Sequence, residues 1–234
     1  MTGDLRARDF DIVVVGSGPA GIAAAVSAAE SGQSVALIDD NPSAGGQIWR
    51  SRKGQTGPDA THDAEAAKWR SRLPDNGRLR VGICWAGSTM HLNDRNRSMS
   101  LERLAPLFAV PGLDFVSVQK EVGAAQAAVL REHGVAQLGQ EFKDFADTAA
   151  VVAMLDLLVT VDTSVAHLAG AMGKAVAMLV PFCPDFRWLL NRADSPWYPS
   201  MRLFRQPATG DWNTPIEKLR QELADVARRP AART

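Results

Sequence analysis

The sequence predicts an α/β protein: a parallel, Rossmann-like sheet preceded by a short βαβ unit. Three observations carry this. From residue 79 onward, short apolar runs alternate with segments of helical period, the pattern of a parallel sheet covered by helices. Near the N-terminus, the glycine-rich turn at 16–21 joins an apolar run to an alanine-rich segment. Between the two patterns, residues 51–76 are polar and carry Gly54, Gly57, Pro58, Pro74 and Gly77 at or beside their end, a composition that reads as a junction.

In chain order, Phe10 to Val15 reads as a strand, Ala20 to Ser31 as a helix closed by Gly32, and Val35 to Ile38 as a second strand. No third strand follows before the junction, which holds one short amphipathic segment, Asp63 to Leu73. Strands are then expected at Arg80–Trp85, Asp114–Val118, Val135–Leu138, Leu157–Val161, Ala175–Val180 and Arg202–Arg205. Helices are expected near Leu101–Val110, Ala124–His133, Thr148–Leu155, Ser164–Met172 and Pro215–Arg228. The last carries Ile216, Leu219, Leu223 and Val226 at helical spacing, an amphipathic cover. The expected organisation is residues 1–55 as a truncated dinucleotide-binding βαβ unit, 56–76 as the junction and 77–228 as the main domain.

Composition narrows the function classes. The 234 residues are 46% hydrophobic and 22% charged, with 26 Lys and Arg against 26 Asp and Glu, so no basic footprint points to nucleic acid. No stretch approaches the roughly 18 apolar residues of a membrane helix, and Ile12 to Val15 is too short for a signal core. The two cysteines, Cys84 and Cys183, lie in apolar runs and read as buried structural thiols. That usage fits a cytoplasmic protein. No histidine or cysteine spacing suggests a metal site, and none is expected.

The first motif is Gly16-Ser17-Gly18-Pro19-Ala20-Gly21, between a strand and a helix, with Asp39 at the end of the next strand. Gly16 permits a tight turn, Gly18 a close approach of a pyrophosphate, and Gly21 close packing of helix on strand; Asp39 can accept from a ribose hydroxyl. With Val35-Ala-Leu-Ile-Asp-Asp-Asn-Pro and Gly45-Gly46-Gln47-Ile48-Trp49, this segment resembles the N-terminus of FAD-dependent, pyridine-nucleotide-disulfide-type oxidoreductases. It is most similar to the amino-acid or opine oxidase and cyanide-synthase-like group. The resemblance covers about residues 8–70 and implies FAD, its ADP portion on Gly16, Gly18, Gly21 and Asp39.

The second motif is Asp162-Thr163-Ser164-Val165-Ala166-His167, after the strand ending at Val161. Thr163 and Ser164 would place hydroxyls and N–H groups at a helix start, a natural diphosphate site, and His167 lies one turn in. The same hexapeptide also reads as a helix cap, with His167 as packing. A third feature is the polar, arginine-bearing loop after the first strand of the main domain, from Trp85-Ala86-Gly87-Ser88 to Arg95, Arg97 and Ser98. Forked guanidinium groups suit phosphate; a solvated loop is the alternative. Pro181 to Trp188 is rich in aromatic residues and reads mainly as packing, with a sugar or base wall as the other use.

These segments carry a second resemblance. Val81-Gly-Ile-Cys-Trp-Ala-Gly-Ser, Asn93-Asp-Arg-Asn-Arg-Ser, Phe115-Val-Ser-Val-Gln-Lys, Asp144-Phe-Ala-Asp-Thr-Ala-Ala, Val161-Asp-Thr-Ser-Val-Ala-His and Ser195-Pro-Trp-Tyr-Pro-Ser-Met-Arg occur in this order. Over about residues 76–226 they resemble the C-terminal half of bacterial tetratricopeptide-associated glycosyltransferases, which are similar to heptosyltransferases. The resemblance implies a GT-B half that binds a nucleotide diphosphate sugar. It implies Gly87, Ser88 and Arg97 toward phosphate, Gln119 or Lys120 toward the nucleoside, and Asp162, Thr163, Ser164 and His167 on the diphosphate and sugar. In such enzymes the acceptor site precedes this half; here the flavin-like segment stands in that place, and neither the acceptor nor a catalytic base is identified. The sequence therefore supports a donor-binding glycosyltransferase-type module, with an FAD-dependent oxidoreductase fragment and an inactive fusion product as the other two readings.

Overall fold

The computed structural model describes residues 10–16, 19–38 and 66–228. It divides into two compact units, one up to Gly57 and one from Pro58 onward.

In the first unit, β1 (Ile12–Val15) pairs in parallel with β2 (Val35–Ile38), and α1 (Pro19–Glu30) connects them. Pro19 opens α1, where a missing N–H is harmless. Gly32 takes the left-handed conformation (φ 81°) and Gln33 N–H returns to the Ala28 carbonyl at 3.2 Å, a closure that favours glycine. Below the strands, Asp11 accepts from the Ser34 N–H (2.8 Å) and hydroxyl (2.6 Å). Those bonds hold its carboxyl below the usual range. Val13, Val15 and Ile38 stay exposed, so two strands and one helix bury little apolar surface.

The second unit is built on six parallel strands: β3 (Leu79–Cys84), β4 (Leu113–Ser117), β5 (Ala136–Gln137), β6 (Leu157–Thr160), β7 (Val176–Val180) and β8 (Met201–Arg205). Their spatial order is β5-β4-β3-β6-β7-β8, the doubly wound arrangement that reverses direction between β3 and β6. The helices are α2 (Asp94–Arg97), α3 (Ala105–Phe108), α4 (Ala124–Glu132), α5 (Phe145–Ala153), α6 (Ser164–Ala171) and α7 (Asn213–Arg228). Two apolar layers result. Leu101, Leu107, Ile216, Leu219 and Leu223 cover one face of the sheet; Val151, Val152, Leu155, Ala166 and Ala169 cover the other. Gly82 in β3 lets the second layer close, because a Cβ there would lie 2.3 Å from Leu155 Cδ1.

Several expectations shift. The single helix over Leu101–Val110 is a 3-10 turn (Leu101–Leu104) followed by α3; Pro106 has no N–H to continue the α ladder. The helix expected from Thr148 begins at Phe145, because the Asp144 carboxylate accepts from the Ala146 and Asp147 N–H groups at 2.8 and 3.2 Å. Val226 is exposed although Ile216, Leu219 and Leu223 are buried. Cys84 is buried as expected, but Cys183 is exposed, since the buried run of β7 ends at Val180. The second unit also begins before residue 77. A helical turn at 66–70 brings Trp69 and Leu73 into the core. Trp69 stacks edge-on against Phe142 and donates to the buried carboxylate of Asp147 at 2.8 Å.

Candidate functional site

Because the strand order reverses between β3 and β6, the segments that follow them leave the carboxyl edge side by side, where such sheets bind ligands. The segment after β3 is fixed from beneath by Gln119, which follows β4 and is buried. Its Oε1 accepts from the N–H groups of Trp85 and Ala86, both at 3.1 Å. Its Nε2 donates to the Ala86 carbonyl at 3.0 Å. The Cys84 thiol also points at Oε1, at 3.4 Å, and burial raises its pKa. Gly87 N–H donates to Ser98 Oγ (2.9 Å), which donates onward to Asp94 (2.7 Å). The loop is thus a closed hydrogen-bonded ring, and Ser88 stands exposed at its tip.

Arg97 joins this loop to the next. Its Nη1 donates to the Asp162 carbonyl at 2.9 Å. Its Nε lies 3.4 Å from Asp94 Oδ1, without hydrogen-bonding geometry. The guanidinium lies over Gly87 so closely that a Cβ there would be 2.4 Å from Nη2. Only 12% of the Arg97 side chain is exposed.

On the β6 side, Thr163 is the N-cap of α6. Its hydroxyl accepts from the Ala166 N–H (3.4 Å) and pairs with the Thr160 hydroxyl (3.1 Å), so it is occupied within the protein. Ser164, the first helical residue, is exposed, and the first-turn N–H groups of a helix have no acceptor inside it. His167, one turn in, stacks on the buried Trp188 (centroids 5.2 Å, 26° between planes). Its Nδ1 is 3.0 Å from the Tyr198 hydroxyl and its Nε2 3.8 Å from Asp162 Oδ1. Burial lowers its pKa, opposed by Asp162.

Beside the β3 loop lies an open cavity of about 600 Å³, lined among others by Trp85, Gly87, Lys120, Gly123, Gln126 and Gln140. Gly123 is the N-cap of α4, and Gln126 Oε1 accepts from its N–H at 3.0 Å. Lys120 donates to the Phe142 carbonyl. The sequence did not single out Gln126 or Gln140, and it placed Tyr198 within a motif without a role. Gln126 carries a detectable signal, a glutamine at the third position of a helix opened by glycine.

In the first unit, Gly16 has φ 97°, and a Cβ on Gly21 would lie 1.7 Å from the Gly16 carbonyl oxygen. The turn therefore requires glycine at both positions. Gly18 and Asp39 lie outside the described residues.

Comparison with known proteins finds two kinds of likeness, and the first runs past Gly57 into the second unit. Residues 11–93 match the model of a family described as FAD dependent oxidoreductase. An opine oxidase subunit from Agrobacterium tumefaciens (strain Ach5) is 32% identical over 146 residues, covering 51% of this chain and 29% of that protein. The corresponding opine oxidase subunit from Rhizobium meliloti is 44% identical over 63 residues, 24% of this chain and 12% of that protein. The solved structure of E. coli ADP-heptose LPS heptosyltransferase II superposes with a TM-score of 0.51 at 16% identity, over 78% of this chain and 58% of that one. The chain therefore resembles an FAD dependent oxidoreductase over residues 11–93 and has the fold of the heptosyltransferase over most of its length. It spans less than a third of the Agrobacterium oxidase polypeptide and under two thirds of the heptosyltransferase.

Within the glycosyltransferase fold, Gly87 and Gln119 line the cavity, while Asp162 is tied to the same loop through Arg97. Gln119 and Thr163 spend their side-chain polar atoms inside the protein, Arg97 commits Nη1 to the Asp162 carbonyl, and the three shape the rim. Ser88 and Ser164 are exposed on it. Among the described residues no helix is long and apolar enough to cross a membrane, and no group of three or more His, Cys, Asp or Glu could hold a metal ion.

Proposed function

We propose that the glycosyltransferase-type unit binds a nucleoside diphosphate sugar at the carboxyl edge of its sheet. The observation that carries this reading is the Arg97–Asp162 bridge, which draws the glycine turn after β3 and the helix start after β6 into one rim beside the cavity. In this reading the nucleoside enters the cavity near Lys120 and Gln126, and the diphosphate meets the first-turn N–H groups of α6. Asp162 and His167 face the sugar end. Arg97 and Gln119 act behind them, holding the loop. Transfer needs in addition an acceptor hydroxyl aligned and deprotonated at the anomeric carbon, so donor binding is the activity proposed for this unit.

Thermal unfolding with ADP, UDP, GDP and FAD side by side tests it. A ligand at a hundred times its Kd stabilises the folded state by about 2.7 kcal/mol. At least one nucleoside diphosphate raises Tm, and Asp162→Ala or His167→Ala reduces the shift. No shift with any of the three would remove the donor site.

FAD at the N-terminal segment is a second reading, favoured by the turn between Gly16 and Gly21 and by the family match. That turn fits the ADP end of FAD. The described strands do not wall in an isoalloxazine, since Val13, Val15 and Ile38 are exposed. Flavin absorbance that co-purifies with the full chain would favour this reading.

A further inference from the structure

We propose that Tyr198 is a positioning residue for His167: its hydroxyl donates to Nδ1, holds the imidazole as the Nε2–H tautomer, and thereby presents an uncharged N–H donor to the diphosphate. The phosphate part rests on the donor-site reading above.

Three contacts fix the ring. Tyr198 O–H stands 3.0 Å from Nδ1, Trp188 stacks on one face, and Asp162 Oδ1 lies 3.8 Å from Nε2. A neutral imidazole has one N–H and one lone pair. A lone pair on Nε2 would face the Asp162 carboxylate, whereas a proton there is attracted to it. With Nε2 protonated, Nδ1 is the acceptor and the phenol the donor. Burial keeps the phenol protonated, raising its pKa. The separation of 3.8 Å is too long for a direct hydrogen bond, which leaves the Nε2–H free for an oxygen placed at the start of α6.

The fold reserves room for this arrangement. Gly170, in the turn of α6 after His167, meets the Tyr198 ring so closely that a Cβ would lie 2.5 Å from Cγ. The charged groups facing the imidazole are Asp162 before α6 and Asp185 and Arg187 in the turn after β7. Asp185 is paired with Arg187 at 2.7 Å, so that pair changes little when the ring titrates.

The test uses nitrogen NMR of the histidine side chains in the full chain, with His167→Gln to assign the signal. The wild type shows Nε2 protonated at neutral pH. Tyr198→Phe shows a mixture of tautomers, and so does Gly170→Ala, which keeps the phenol but displaces it. Titrations with ADP, UDP and GDP across about pH 6–8 then read the consequence. Relative to the wild type at each pH, which cancels the ionisation of the nucleotide's own terminal phosphate, Tyr198→Phe binds about threefold more weakly at the alkaline end, and the gap closes as pH falls and the freed ring takes up a proton. An Nδ1–H tautomer in the wild type, or an unchanged Nε2–H tautomer in both variants, overturns the positioning role. An Nε2–H tautomer with no nucleotide bound by any form overturns the phosphate role and the donor site together, while the positioning by Tyr198 stands on the NMR.

Discussion

Arg97 Nη1 donates to the main-chain carbonyl of Asp162 across 2.9 Å, and this bond locks the loop after β3 to the start of α6. Both segments carry residues of the proposed site, so the bridge sets their spacing. Removing the guanidinium leaves the Asp162 carbonyl without that charge-assisted donor, a loss of about 2 kcal/mol. Arg97→Ala should therefore lower the urea midpoint and weaken nucleoside diphosphate binding together. Arg97→Lys should restore stability only in part, because a point charge cannot lie flat over Gly87 while reaching Asp162. Wild-type affinity in Arg97→Ala would mean that the bridge does not set the site.

Gly87→Ala probes the same geometry from the other side. The new Cβ would lie 2.4 Å from Arg97 Nη2, the far end of a flexible side chain. The guanidinium has to move, and binding should fall while the urea midpoint moves less than in Arg97→Ala. A binding loss with an intact Arg97–Asp162 bond in a crystal structure of the variant would assign the effect to Gly87 itself.

Gln119 offers a sharper stability test. Its Oε1 serves the N–H groups of Trp85 and Ala86, and truncation leaves both unsatisfied at the base of the loop. Each buried donor left unpaired costs about 1–3 kcal/mol. Gln119→Ala should thus destabilise strongly by chemical denaturation. Gln119→Glu should fare better in mildly acid solution, where a protonated carboxyl keeps the acceptor and donates its own O–H to the Ala86 carbonyl; ionised, it would set a buried charge against that oxygen. Equal losses in the two variants would argue against the acceptor role.

The strands of the second unit and the doubly wound sheet were legible because period and alternation report burial directly. The segments of the proposed site were legible too, but the internal bonds of their side chains were not. Gln119, Thr163 and Arg97 have side chains that suit ligand contact, and nothing local in the sequence tells a ligand bond from a bond to a distant backbone atom. The partners of Gln119 lie more than thirty residues away, and the Asp162 carbonyl lies 65 residues from Arg97. Tyr198 falls within a recognisable motif, but its pairing with His167, 31 residues apart, depends on a loop and a helix meeting. Trp69 was hidden for a different reason: it sits in a polar stretch whose composition reads as junction, and one buried indole does not change that composition.

That indole can be tested alone. Trp69 is fully buried and its N–H satisfies Asp147, which also accepts from the Lys143 N–H at 2.8 Å. Trp69→Ala removes a large core side chain, a change that costs about 3–5 kcal/mol. Trp69→Phe should recover most of the packing and leave the cost of the missing donor. If both variants unfold at the wild-type urea concentration, residues 66–73 contribute nothing to the second unit and its boundary belongs after them.

The stability of the second unit should also depend on pH through His167. Burial holds its pKa below the ordinary imidazole value, which in an unfolded chain is about 6.5. Below that value the unfolded chain binds a proton that the folded chain resists, so stability rises with pH in this window. The contribution of His167 is complete above about pH 6.5 and is lost as pH falls from there toward the folded value. Carboxylates such as Asp185, whose pKa is lowered, also favour the folded state at neutral pH, but their contribution fades only at more acid values. Urea midpoints at about pH 8, 6.5 and 5.5 should fall at the acid end for the wild type and fall less for His167→Gln, which stays neutral throughout. Parallel curves for the two proteins would show that the imidazole titrates alike in both states and that its burial against Trp188 does not disfavour the charge.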